Sequence, residues 1–197
     1  MNKKNIILIG GGGHCKSCID VIEQESKYKI AGIVDLKEKL REKVLGYEII
    51  ANDEDLPELI RDYKYYLITV GQIKSPEKRI RLFNYLKQLG AQFPTIVSPF
   101  AYVSSHSYID EGTIIMHHAL VNADVTIGKN CIINTKVLIE HDVTIEDYCH
   151  IATSAVINGG VYIEKNTFVG SNVTIKEAVS IERDSVIQAG SYISKNI

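Results

Sequence analysis

The chain has 197 residues, 45% of them hydrophobic, with 22 Lys+Arg against 24 Asp+Glu and a formal net charge of −2 at pH 7. That length suits one large globular domain or two small ones. A near-balanced charge with a pI of about 6.3 leaves no basic footprint for nucleic acid, and no apolar run approaches the ~18 residues of a membrane-spanning helix.

Residues 5–9, Asn-Ile-Ile-Leu-Ile, read as a buried strand. They follow Met1-Asn2-Lys3-Lys4, a basic start that also opens secretion signals, but here the apolar stretch is short and ends in glycine. Gly10-Gly11-Gly12-Gly13-His14 leads into a helical pattern over 15–24, and 30–34 form a second strand closed by Asp35. Strand, glycine turn, helix, strand and acid make the skeleton of a nucleotide-binding βαβ unit. Glycine lets the backbone approach a phosphate, the helix N-terminus adds amide donors, and Asp35 can accept from a ribose or a uracil. A plain βαβ turn that needs glycine for packing has the same pattern, and a glycine run alone is a weak signal. The context favours a nucleotide. The unit is short for a dinucleotide site, so a mononucleotide or nucleotide-sugar is expected.

Residues 65–71 read as a further strand ending in Gly71, and 76–89 as a basic amphipathic helix closed by Gly90. Arg79 and Arg81 either reach a phosphate or carboxylate from this helix or are solvated surface charge. The domain boundary is expected near Pro94. That gives a Rossmann-like nucleotide-sugar-binding domain over 1–93 and a second domain over 94–197.

From Val97 to Ile193 every sixth residue is valine or isoleucine, seventeen positions without a miss. A period of six is neither helical nor simple strand alternation. It marks a parallel β-helix of hexapeptide repeats. The residue two before each aliphatic is small or β-branched, and the two share one strand face pointing inward. Three flat faces make a triangular coil of about 18 residues, so residues 18 apart stack. Gly128 and Gly170 follow the aliphatic, where a turn is expected to need glycine. Cys131 and Cys149 are 18 apart and stack as core thiols. Cys15 and Cys18 form a lone C-x-x-C with no second pair to complete a zinc site. This cysteine usage points to a cytosolic protein.

Six histidines occur: His14, His106, His117, His118, His141 and His150. His141 stands between Glu140 and Asp142 at an outward corner, where a carboxylate can orient it and keep it basic. His150 also faces outward. His141 and His150 are half a coil apart, on different sides of one prism. A site using both would lie between subunits. His117-His118 beside His141 makes a poor chelating pair, because adjacent strand residues face opposite ways. No metal is expected.

These features resemble the sugar O/N-acyltransferase family of the left-handed β-helix superfamily, which includes sialic acid O-acetyltransferases and acetyltransferases acting on UDP-linked 4-amino-sugars of the bacillosamine type. The resemblance rests on residues 9–14, Asp35, Val70-Gly71 and, most specifically, Asn134-Thr135-Lys136-Val137-Leu138-Ile139-Glu140-His141-Asp142. It implies a left-handed prism, an exception to the right-handed crossover rule, and a homotrimer with sites between subunits. It implies His141 as general base, supported by Asp142. Asn134, His150, Gly159 and Gly170 would lie on the acetyl-CoA side. Gly12, Gly13, His14, Asp35 and Gly71 would hold the nucleotide-sugar. Gly159 stacks 18 residues after His141 on the same corner, which spacing alone requires. Asp142 stands where some relatives carry Glu, and the chain ends Ser194-Lys195-Asn196-Ile197 without the Gly-x-Pro-Ala-Lys-like tail many carry. The expected activity is acetyl-CoA-dependent N-acetylation of a UDP-linked 4-amino-sugar in bacterial glycan biosynthesis, with no metal and no membrane insertion. Alternatives are O-acetylation of a sialic-type sugar, a non-catalytic nucleotide-sugar-binding hexapeptide protein, and a zinc-dependent γ-class carbonic anhydrase.

Overall fold

The computed structural model describes residues 3–197; Met1 and Asn2, the start of the expected first domain, lie outside the described residues. The chain forms two compact units. One comprises the segment through Gly71 together with Glu77–Pro94, and the other comprises Gln72–Pro76 and Thr95–Ile197.

In the first unit, β1 (Lys4–Ile9), α1 (Gly13–Glu25) and β2 (Tyr28–Val34) follow the order expected from sequence. β3 (Lys43–Val44), β4 (Tyr47–Ala51), α2 (Leu56–Asp62), β5 (Tyr65–Ile68) and α3 (Glu77–Gln88) complete it. The sheet order is β3-β4-β2-β1-β5. All pairings are parallel except β3–β4. β1 therefore lies between β2 and β5, and the crevice beyond its carboxyl end is the position where open α/β sheets bind ligands.

The β3–β4 hairpin has no counterpart in the sequence reading. Its two turn residues, Leu45 and Gly46, both have positive φ (48° and 91°). Such turns are usually marked by Asn-Gly or Asp-Gly, and a leucine at the first position hides the signal. β5 stops at Ile68, so Thr69–Gly71 form a loop rather than the end of a strand.

Arg79 is neither a phosphate ligand nor solvated charge: it is only 1% exposed. Its guanidinium donates to the carbonyls of Ile68 (3.0 Å) and Val70 (2.6 Å). It thereby closes the end of β5, whose carbonyls have run out of sheet partners.

The second unit is a left-handed parallel β-helix of two-residue strands. The strands stack as two six-stranded sheets and one five-stranded sheet. Each strand pairs with the one 18 residues away, as Leu138–Ile139 does with Val156–Ile157. The sixth-residue aliphatics and the small residues before them point inward and form one continuous core from Ile115 to Ile187.

The corners follow the same clock. Every sixth residue from Gly112 to Gly190 has positive φ, and only three of these fourteen are glycine. Left-handed backbone costs an L-residue about 1–2 kcal/mol. The coil holds it in place through hydrogen bonds: the N–H of each corner residue from His118 to Gly190 bonds to the preceding coil, as Asp142 N does to Ala123 O and Gly160 N to His141 O.

Gly128 and Gly170 lie outside this left-handed set, which corrects the turn reading. A Cβ on Gly128 would sit 2.6 Å from Asp147 N, and one on Gly170 would sit 2.5 Å from Ala189 N. These glycines exist because the next coil's backbone passes over them.

Gly128→Ala is therefore expected to destabilise the prism by about 1–3 kcal/mol. Gly160→Asn, at a left-handed corner where a Cβ meets nothing closer than Ala178 Cα at 4.0 Å, should cost no more than about 1 kcal/mol, because asparagine is one of the L-residues that adopt this backbone. Denaturant unfolding of both variants checks the contrast. Arg79→Leu should cost about 2–4 kcal/mol by leaving two carbonyls without their charged donor.

Candidate functional site

His141 sits on the corner that follows the strand Leu138–Ile139. Its Nδ1 lies 2.6 Å from Oδ2 of Asp142. Neighbours along a strand face opposite ways, but Asp142 has φ 61°, and this left-handed turn brings its carboxylate back to the ring. The hydrogen bond from the ring to Asp142, and next the charge of Asp142, raise the His141 pKa above its usual 6.5, with a lesser contribution from Glu140. Glu140 is held elsewhere, because its Oε2 accepts from Asn122 Nδ2 at 2.9 Å. Asp142 is thus the carboxylate that orients the His141 ring.

The ring lies over Gly159. A Cβ there would be 2.8 Å from Cε1 and 3.0 Å from Nε2 of His141. Any side chain at 159 would push the imidazole away. The Gly160 N–H is committed to His141 O, so the Gly159 N–H is the amide beside the ring that has no partner among the described residues.

His150 lies on another sheet, paired with Ile132 and Phe168. It faces out of the core yet is only 8% exposed. Its Nδ1 donates to the backbone carbonyl of Gln72 at 2.6 Å, and Asn134 Nδ2 donates to its Nε2 at 3.1 Å. Asn134 and His150 are thus brought together, and His141 stands apart from them on its own corner. Gly170 is explained by the overlying backbone alone. His117 is tied through Nδ1 to Ser98 Oγ at 2.6 Å, and among the described residues no group of three His, Cys, Asp or Glu can hold a metal ion.

In the first unit the glycine turn divides by role. Gly11 lies under Asp35, whose Oδ2 would be 2.9 Å from a Cβ. Gly12 and Gly13 meet nothing within 4 Å and have ordinary φ. The protein's own packing therefore does not require glycine at either one. Gly12 caps α1 without any side-chain bond, and no acid sits in the first turn, so the helix N-terminus presents amide donors beside open space. Asp35 accepts from Gly11 N and Leu36 N, both at 2.7 Å, and from Lys39 Nζ at 3.3 Å. Burial pushes its carboxyl up, but these donors outweigh it and hold the pKa below the usual carboxylate value.

Cys15 and Cys18 are free, buried thiols. Burial pushes Cys15 up to about 11 and Cys18 higher still. The Cys18 Sγ lies within hydrogen-bond reach of His14 Nε2, at 3.4 Å. Gly71 lies 3.6 Å, through a Cβ, from the Cβ of His14, so the β5 loop and the glycine turn sit side by side. A shallow pocket here is lined by Gly10, Asp35, Leu36, Asp53, Val70 and Lys78.

Sequence reasoning missed Gln72, Asn122 and the His14–Cys18 pairing. Gln72 has no local signature, since its partners are 76–78 residues away; Asn122 stacks one 18-residue coil before Glu140, so the repeat period made that pair readable. The i, i+4 spacing of His14 and Cys18 on one helix was readable.

Residues 5–86 match the PglD N-terminal domain model. Residues 124–159 match the bacterial transferase hexapeptide model, and 160–195 match the hexapeptide repeat of succinyl-transferase. The chain is 34% identical over 117 residues to UDP-N-acetylbacillosamine N-acetyltransferase of Bacillus subtilis, a match that spans 57% of this chain and about half (51%) of that relative. The fold superposes with a TM-score of 0.91 on a histidine-to-asparagine variant of perosamine N-acetyltransferase from Caulobacter crescentus, solved with CoA and GDP-perosamine. That likeness has 27% identity and covers 98% of this chain and 90% of the other. The acetyltransferase domain of PglB from Neisseria gonorrhoeae, in complex with acetyl coenzyme A, shares the fold at 23% identity with a TM-score of 0.90, covering 100% and 93% of the two chains.

NMR titration should place the His141 pKa above 6.5. Asp142→Asn should lower it, because the hydrogen-bonded negative charge is removed while the turn is kept. An unchanged titration in that variant would transfer the supporting role to Glu140.

Proposed function

We propose that this chain, which joins a PglD-type N-terminal domain to a hexapeptide-repeat prism, is an acetyl-CoA-dependent N-acetyltransferase acting on the amino group of a UDP-linked 4-amino-sugar in bacterial glycan biosynthesis. The observation that carries the reading is the His141 imidazole, held by Asp142 through Nδ1 and laid over Gly159. With Nδ1–H donated to the carboxylate, Nε2 keeps its lone pair and is the base.

The acceptor amine attacks the thioester carbonyl while Nε2 takes its proton. The new C–N bond forms, the C–S bond breaks, and the imidazolium returns the proton to the departing thiolate. Asp142 stabilises the imidazolium in between. The Gly159 N–H donates to the oxyanion. Asn134, His150 and Gly170 belong to the coenzyme side. Gly12, Gly13, His14, Asp35 and Gly71 belong to the nucleotide-sugar, with the diphosphate on the open amides of the α1 N-terminus. Two glycines that neither φ nor packing requires support this placement.

His141 and Asp142 have side chains 63% and 59% exposed. Proton transfer and oxyanion stabilisation gain strength when water is excluded. A second prism laid against the outer face carrying Tyr102, Leu120, Leu138 and Val156, the face that leads into this corner, would supply that cover. Tyr102 is 60% exposed, and the other three are half-buried. We place the site between subunits of a homotrimer on this ground. The four free cysteines and the absence, among the described residues, of any helix long and apolar enough to cross a membrane accord with a cytoplasmic enzyme.

Thiol release from acetyl-CoA should be fast with a UDP-linked 4-amino-sugar and slow with free sialic acid. His141→Ala should lower turnover by ~10²–10⁴ without unfolding the prism; near-normal turnover would refute the base. Release with sialic acid alone would make the enzyme an O-acetyltransferase. Sedimentation equilibrium should give three times the 22.0 kDa chain mass, and an active monomer would sink the intersubunit site.

A further inference from the structure

We infer that Gln72 and His150 are positioning residues which fix the side-chain amide of Asn134, so that one of its N–H bonds is presented as a donor to a carbonyl of the coenzyme. The inference rests on the proposed transferase reading for the identity of the ligand, and on hydrogen-bond logic for the relay itself.

The logic begins at an atom that cannot change role. The backbone carbonyl of Gln72 only accepts, and it lies 2.6 Å from His150 Nδ1. Nδ1 therefore carries the proton. A neutral ring then has a bare Nε2, and only a donor can face it. The atom 3.1 Å away must be the amide nitrogen of Asn134 rather than its oxygen. The other end agrees, because Asn134 Oδ1 accepts from Thr135 N at 2.8 Å. One carbonyl thus sets a tautomer, and the tautomer sets the orientation of an amide on a different coil.

The amide nitrogen carries two hydrogens. One goes to His150. The other has no partner among the described residues, and Asn134 is half-exposed. It remains as an oriented donor. An Asn amide free to flip would present its oxygen to the ligand about as readily as its nitrogen. The relay removes that ambiguity before binding.

Gln72 is built for this role. It is 3% exposed, and its Nε2 donates to Tyr148 O at 3.0 Å, which pins the backbone whose carbonyl meets His150. Its Oε1 is buried with no hydrogen-bond partner. A residue kept for packing alone would be better apolar, since an unmet buried acceptor is destabilising.

The test measures the relay and the ligand separately. In the wild-type chain, long-range ¹H–¹⁵N spectra should show His150 as the Nδ1–H tautomer, with the Asn134 side-chain amide protons slowed in exchange. His150→Leu should abolish that protection and weaken CoA binding by calorimetry roughly 5–10-fold, the equivalent of one lost hydrogen bond. His150→Gln, which offers a donor and an acceptor in one planar group, should restore most of both. An Nε2–H tautomer, or equal behaviour of the Leu and Gln variants, overturns the relay. Failure of wild-type CoA binding with the tautomer as stated overturns the coenzyme assignment and the transferase reading, while the relay stands.

Discussion

The site depends on one constraint, that each coil must lie in register on the one before it. A corner residue donates its N–H to the preceding coil, so the neighbours above and below any side chain are decided 18 or 19 residues away. This is why the His141 ring rests on Gly159 and why Asn122 draws Glu140 aside. It is also why Asp142 can serve its immediate neighbour. The ladder enforces a left-handed turn at 142, and that turn carries a carboxylate to an imidazole that strand geometry would have kept on the opposite face.

Two histidines of the same prism illustrate how surroundings assign roles. His141 is exposed and charge-supported, which makes it basic. A carboxylate–imidazole pair in open water contributes little to stability, and the interaction strengthens as water is excluded. His150 is buried against a backbone carbonyl and an amide. The carbonyl places a ring proton on Nδ1, and the nitrogen opposite faces the Asn134 amide. In the first unit a buried thiol pairs with the ring of His14.

The glycines divide by physical cause. Gly11 lies under a carboxylate, Gly128 and Gly170 under passing backbone, and Gly159 under an imidazole, whereas Gly12 and Gly13 lie under nothing. Only the last two have neither a close neighbour nor a positive φ to require glycine, which accords with the proposed phosphate placement at the helix N-terminus. Lacking a side chain, glycine looks the same in sequence whichever neighbour requires the room.

The hexad of Val and Ile determined the coiled prism but not its hand, because a sixfold period marks a parallel β-helix with one inward aliphatic per face. The stacking of 141 on 159 and of 131 on 149 followed from arithmetic on that period. The βαβ start was readable because β1, the glycine turn and α1 are contiguous and their signals are local. Tertiary structure alone decided that Arg79 is a buried clamp, that Asp142 rather than Glu140 holds the His141 ring, and that Gln72 leaves its neighbours to join the prism. Each of those outcomes turns on a hydrogen bond to a group that is distant in sequence or equally available to a rival. A chain carries no record of which polar atom will be left without water until the fold has closed around it.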